Sequence, residues 1–212
     1  DTEFTVFDPE VIGEIPKDLD GAYLRNGQNP ATKPMGRYHL FDGDGMIHGM
    51  SFQDGHVEYR NRWVRTKAFL AEQQEGRALW SGLIDPPEMS ERPGWGAHGA
   101  LKDNSSTDVV LHAGRAMSLW YQCGDAYRLD ARTLEQYGAD DFGGNFPAAG
   151  ISAHSHVDEV TGDFLFFNYD VKPPYMNYGV IEKNNKLTHY VPIDLPGARL
   201  PHDMAFTENH TI

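Results

Sequence analysis

The amino-acid sequence predicts an all-β fold. Three observations carry it. Short apolar or alternating segments return about every 10–20 residues, glycine-bearing turns separate them, and helical periodicity is nearly absent. With 40% hydrophobic, 12% aromatic and 23% charged residues, the chain has a globular composition, and its 212 residues suit one ordinary domain or part of a larger all-β one.

The first predicted strands are 46–52 and 57–64, and Asp54-Gly55 between them supplies a glycine for positive φ at a hairpin. The one helical stretch is 67–79, where Phe69, Leu70 and Leu79 interrupt a run rich in Glu and Gln. A second hairpin joins 109–112 to 116–121 through Ala113 and Gly114, and a short strand follows at 126–129. The apolar run 164–169 leaves a turn at Thr161, Gly162 and Asp163. Strands 178–182 and 187–192 flank a turn rich in Lys and Asn. From Met204 to Ile212 the chain reads as strand and turn leading into another strand. An up-and-down β protein, a sandwich or a propeller all fit, and no strict WD or kelch repeat separates them.

A net charge of −13 without any basic cluster argues against nucleic-acid binding, because phosphate contacts need grouped Lys and Arg. The single cysteine, Cys123, rules out an intrachain disulfide or a zinc ribbon and reads as a semi-buried thiol. No apolar run reaches the roughly 20 residues of a spanning helix, and the first residues lack the regions of a signal peptide. A soluble, cytoplasmic protein is the expectation.

Ten histidines are many for this length. His56 and His112 flank hairpin glycines and read as exposed turn residues; His39, His48, His98, His189 and His210 also have ordinary structural readings. His154 and His202 differ, since each is followed by apolar sequence: His154 precedes the run 164–169, and His202 precedes Met204, Ala205 and Phe206. Neutral imidazole is the commonest metal ligand, and a site assembled from several strand ends would space ligands widely. On spacing alone, two such histidines are more often structural. In His154-Ser155-His156 only one imidazole is expected to point inward. The acidic turn at Asp42 and Asp44 fails as a calcium loop, because Met46 and Gln53 stand where oxygen ligands belong. No nucleophile elbow, Walker loop or dinucleotide fingerprint is present.

Four segments in order then carry a resemblance: Gly21 to Pro30 (GAYLRNGQNP), His39 to His48 (HLFDGDGMIH), Ala153 to Asp163 (AHSHVDEVTGD) and Pro201 to Asn209 (PHDMAFTEN). They resemble the carotenoid cleavage oxygenases, whose branches process carotenoids and apocarotenoids, lignostilbenes and retinoids. The resemblance implies the N-terminal part of a seven-bladed β-propeller with Fe(II) on its axis, held by four histidines. His154 matches the first ligand, with Ser155 in place of the usual proline, and His202 the second. The remaining two ligands lie further along in the family, so residues 1–212 are expected to form a single, incomplete domain. The implied reaction is oxidative cleavage by O2 of a conjugated C=C bond in an apolar substrate, giving carbonyl products. A carotenoid or apocarotenoid is the first reading and a stilbenoid or phenylpropanoid the second. Isomerisation, or a non-catalytic propeller binding an apolar ligand or a protein, are the rivals. Peripheral membrane contact is compatible with a polyene substrate, although no amphipathic helix argues for it. Two departures stand out. Gln122 occupies the position of a glutamate that orients a ligand imidazole, implying an uncharged Gln122–His202 hydrogen bond. Tyr121 stands where lignostilbene-cleaving members have a lysine.

Overall fold

The computed structural model describes residues 2–95 and 101–212. It holds three antiparallel sheets of four strands each. The first contains β1 (Phe4–Phe7), β2 (Gly21–Asn29), β3 (Asp44–Gln53) and β4 (His56–Trp63), in the spatial order β2-β3-β4-β1. The second is the meander β5 (Asp108–His112), β6 (Arg115–Leu119), β7 (Tyr127–Leu129) and β8 (Gln136–Ala139). The third is the meander β9 (His156–Val157), β10 (Phe164–Tyr169), β11 (Met176–Ile181) and β12 (Leu187–Pro192). β2 touches β5 and β5 touches β9, so these are neighbouring inner strands from which each sheet steps outward. That is the arrangement of propeller blades.

The core lies between the blades. Ile47 and Val64 of the first blade pack on Ala116, Tyr127 and Leu129 of the second. Met117, Leu119 and Ala126 of the second pack on Phe164, Phe166 and Ile181 of the third. β10 is buried on both faces: Phe164 and Phe166 enter this layer, while Phe167 and Tyr169 pack with Cys123 and Met204. Opposite Phe166 in the ladder sits Gly179, where a Cβ would collide with the ring. Its absence lets Phe166 lie between Phe164 and Tyr190 with nearly parallel ring planes.

The hairpin turns form as their residues predict, with Asp54-Gly55 and Ala113-Gly114 all at positive φ. The helix is shorter than the predicted 67–79. α1 (Lys67–Glu75) starts at Thr66, whose side chain accepts from the Phe69 N–H, and stops where Gly76 takes the left-handed conformation at φ 70°. The acidic turn is structural: Asp42 accepts from the His39 and Leu83 N–H groups, and Asp44 is ion-paired to Lys102. Four strands escape the sequence reading, namely β1, β2, β8 and β9. β2 is the most instructive, since its side chains serve polar contacts and show no apolar alternation. Asn26 donates to the carbonyls of Ser105 and Asp108 and to the Ser118 hydroxyl, tying the first blade to the second.

His112 corrects an expectation. It is buried, because its hairpin packs under the third blade. Arg128 donates to its Nδ1 at 3.1 Å, its Nε2–H donates to the Glu182 carbonyl at 3.1 Å, and its ring lies against Phe164. Burial and the Arg128 guanidinium both hold its pKa below the usual histidine value, so it stays neutral. Cys123 is fully buried, and burial pushes its thiol up to about 12, which makes it inert. His98 lies outside the described residues. Among the described residues no helix is long and apolar enough to cross a membrane.

One buried acid gives a pH dependence. Asp103 accepts the N–H groups of Ser105 and Asp125, yet burial, reinforced by the Asp125 carboxylate, pushes it up to about 7. Between the unfolded value of about 4 and 7, the folded chain therefore holds a proton that the unfolded chain releases. Stability is expected to fall as pH rises through that window, by on the order of 4 kcal/mol, and to level off above it. Thermal melts of the full-length protein and Asp103→Asn at pH 5 and pH 8 check this. Equal pH slopes for both would refute it.

Candidate metal centre

His154 is delivered by a buried segment. Ile151, Ser152 and Ala153 run beside the end of β6, where the Ala153 N–H donates to the Trp120 carbonyl at 3.1 Å. Ser155 then turns its hydroxyl back to the Ser152 carbonyl, and His154 sits in the bend at φ 58°. The next residues form the inner strand β9, so His154 lies at the inner end of the third blade.

His202 arrives from beyond β12 on a segment anchored by two side chains. Met204 is buried among Cys123, Phe167 and Tyr169. His156 donates through Nε2 to the Met204 carbonyl at 2.8 Å, lies 3.3 Å from Asp203 Oδ1, and packs beside Phe206. The His154-Ser155-His156 pair thus divides its work, one imidazole facing the second histidine and the other clasping the segment that carries it. Replacing His156 by Ala should remove about 1 kcal/mol of local stability, roughly fivefold in opening. Hydrogen exchange of the full-length protein checks this at the amides around Met204, and unchanged protection there would refute it.

The result is convergence of the two predicted ligands. The rings of His154 and His202 have centroids 4.9 Å apart and planes 44° apart. Nδ1 of His154 lies 3.1 Å from Asp108 Oδ2, while Nε2 of His154 and both ring nitrogens of His202 make no hydrogen bond among the described residues. Two imidazoles at this separation, with ring nitrogens uncommitted, fit a shared divalent ion. Among the described residues no group of three or more His, Cys, Asp or Glu is placed to hold a metal, so the pair stands alone.

The expected Gln122–His202 hydrogen bond is not made. Gln122 is buried beyond β6 and its Oε1 has no partner, whereas His202 rides on an exposed segment past β12. The carboxylate that does meet a candidate ligand is Asp108, a residue that no motif marks. Only its position four residues before His112, at the start of an inner strand, could have drawn notice. An aromatic cleft lies apart from the histidine pair, lined by Tyr38, Phe41, Trp80, Trp120 and Tyr121. Phe41 meets Tyr121 edge to face, with centroids 6.0 Å apart.

Three blades with two imidazoles meeting at their inner end make this a propeller with a candidate imidazole metal centre. The chain belongs to the retinal pigment epithelial membrane protein family, the carotenoid oxygenases, which it matches over residues 1–212. Isoeugenol monooxygenase of Pseudomonas nitroreducens is 36% identical, covering 99% of this chain and 44% of that protein. Carotenoid cleavage oxygenase of Mycobacterium tuberculosis is 34% identical, covering 100% and 40%. The crystal structure of Pseudomonas brassicacearum lignostilbene dioxygenase superposes with a TM-score of 0.85 at 30% identity, covering 98% of this chain and 43% of that one. Cobalt-substituted Synechocystis apocarotenoid oxygenase gives 0.79 at 27%, covering 99% and 46%. The chain therefore spans less than half the length of these relatives.

Proposed function

We propose that the protein is an Fe(II)-dependent dioxygenase that cleaves a conjugated C=C bond to two carbonyl products, with a carotenoid or apocarotenoid as substrate. The observation that carries this reading is the meeting of His154 and His202 at the inner end of the blades. Both would hold the iron, whose chemistry when bound is the activation of dioxygen. The balance needs no external reductant, because the C=C bond breaks and each product takes one atom of O2. Neutral imidazoles suit an ion that must keep its charge and leave positions open. The propeller frame would hold the substrate in apolar surroundings that exclude water.

A second substrate reading has its own support. Two isoeugenol monooxygenases, from Pseudomonas nitroreducens and Pseudomonas putida, are 36% and 30% identical to the chain. Phe41 and Tyr121, which meet edge to face in the aromatic cleft, each present a ring against which a phenol can pack. A phenylpropanoid alkene is therefore the alternative to a polyene.

The test is incubation of Fe(II)-reconstituted full-length protein with an apocarotenoid and, separately, with isoeugenol under 18O2. Aldehyde or ketone products carrying the label are expected from one of them. Absence of any carbonyl product from polyene, stilbenoid and phenylpropanoid substrates would refute the dioxygenase reading. An unlabelled, rearranged product would point to isomerisation.

A further inference from the structure

A fixed carboxylate grips the first of the two histidines. Asp108 opens the inner strand β5, and its Oδ2 accepts from both the backbone N–H of His154 at 3.2 Å and Nδ1 of the ring at 3.1 Å. Its other oxygen accepts the Val109 N–H at 2.7 Å. The backbone beneath it is pinned as well. The Asp108 carbonyl accepts from Asn26 Nδ2 of the neighbouring blade at 3.0 Å, and Asp108 pairs across β5–β6 with the fully buried Leu119. The carboxylate therefore has little freedom to leave.

The double contact constrains His154 in two ways. His154 sits at φ 58°, a conformation that L-residues adopt at some cost, and the bond to its N–H helps hold the bend. The ring contact selects a tautomer. An ionised carboxylate only accepts, so Nδ1 carries the proton and Nε2 keeps the lone pair. We infer that Asp108 is a positioning residue for the metal centre: it orients the His154 ring and leaves Nε2 as the donor offered to a divalent ion. This rests on the metal-centre reading above.

Such a partner makes an imidazole a stronger donor and brings one negative charge to the edge of an otherwise neutral ligand set. The alternative is an ion pair that merely braces the bend. The two roles separate because both side chains are 29% exposed. A pair so placed is screened by solvent and contributes little to folding, whereas an outer partner of a ligand histidine typically changes metal affinity about 10–100-fold.

The experiment uses full-length protein stripped of metal and titrated with Co(II), followed by its visible absorption band, alongside thermal melting. Asp108→Ala should bind Co(II) about 10–100-fold more weakly, with an altered band and a melting temperature near that of the parent. Asp108→Asn, whose amide oxygen can still accept the Nδ1–H, should recover a large part of the affinity. Asp108→Leu, which keeps the branched outline of Asp without its acceptors, serves where the Ala variant does not fold. If Asp108→Ala or Asp108→Leu bound Co(II) with the parent's affinity and spectrum, the inference would fall while the metal centre stood. A parent that bound no Co(II) would remove both.

Discussion

Full-length protein purified without oxygen should hold close to one iron per chain, and His154→Ala or His202→Ala should lower that below about a tenth of the parent value. The two rings face each other across 4.9 Å from different stretches of chain, so removing either takes a donor that the other cannot replace. Elemental analysis reads the result directly. His189→Ala is the control, since His189 is exposed on β12, where its ring lies against Tyr178. An iron-free parent after Fe(II) reconstitution would sink the oxygenase reading and promote an apolar-ligand-binding propeller. Loss of iron in the His189 variant as well would show that the assay reports folding and not ligation.

Lys102→Met should cost about 3–5 kcal/mol of stability. Lys102 lies between Asp44 at 2.8 Å and Glu72 at 2.7 Å, and all three side chains are nearly or fully buried. Burial alone would lower the Lys102 pKa, but the two carboxylates outweigh it and hold it above the usual lysine value. Burial raises Asp44 even with the ammonium alongside. Without the ammonium, two carboxylates would share a dry site, and one would have to take up a proton or pull the site open. Denaturant unfolding of the full-length protein measures the loss, and Glu72→Gln added to Lys102→Met should restore part of it. A loss below about 1 kcal/mol for Lys102→Met would overturn this account. The triad joins α1, the start of β3 and the segment leading into β5. Loosening it should therefore also disturb the approach to Asp108.

How much was legible follows from what each residue does. Strands that bury side chains against a neighbouring blade, such as β3, β6 and β10, announce themselves by apolar content, and β10 coincides with the predicted 164–169. Strands β2 and β9 do not, because they line the inner side, where polar side chains such as Asn26 meet backbone groups of the next blade. His112 looked exposed because its hairpin turn is polar, yet the third blade covers it. The place of Gln122 in its motif points to His202, and the fold leaves its oxygen without a partner.

By itself the sequence determined the β class, the hairpin turns, the start of the helix and the two histidines to watch, because each rests on local chemistry: periodicity, glycine φ, a Thr cap, an imidazole beside apolar sequence. Their meeting was decided only by tertiary structure. His154 and His202 stand at the two ends of the third blade's sequence, and the clasp of His156 on Met204 brings them together. The same holds for Asp108, an ordinary first residue of a strand until two inner strands lie side by side. Contacts between blades depend on how whole sheets stack around an axis, and no window of sequence contains that information.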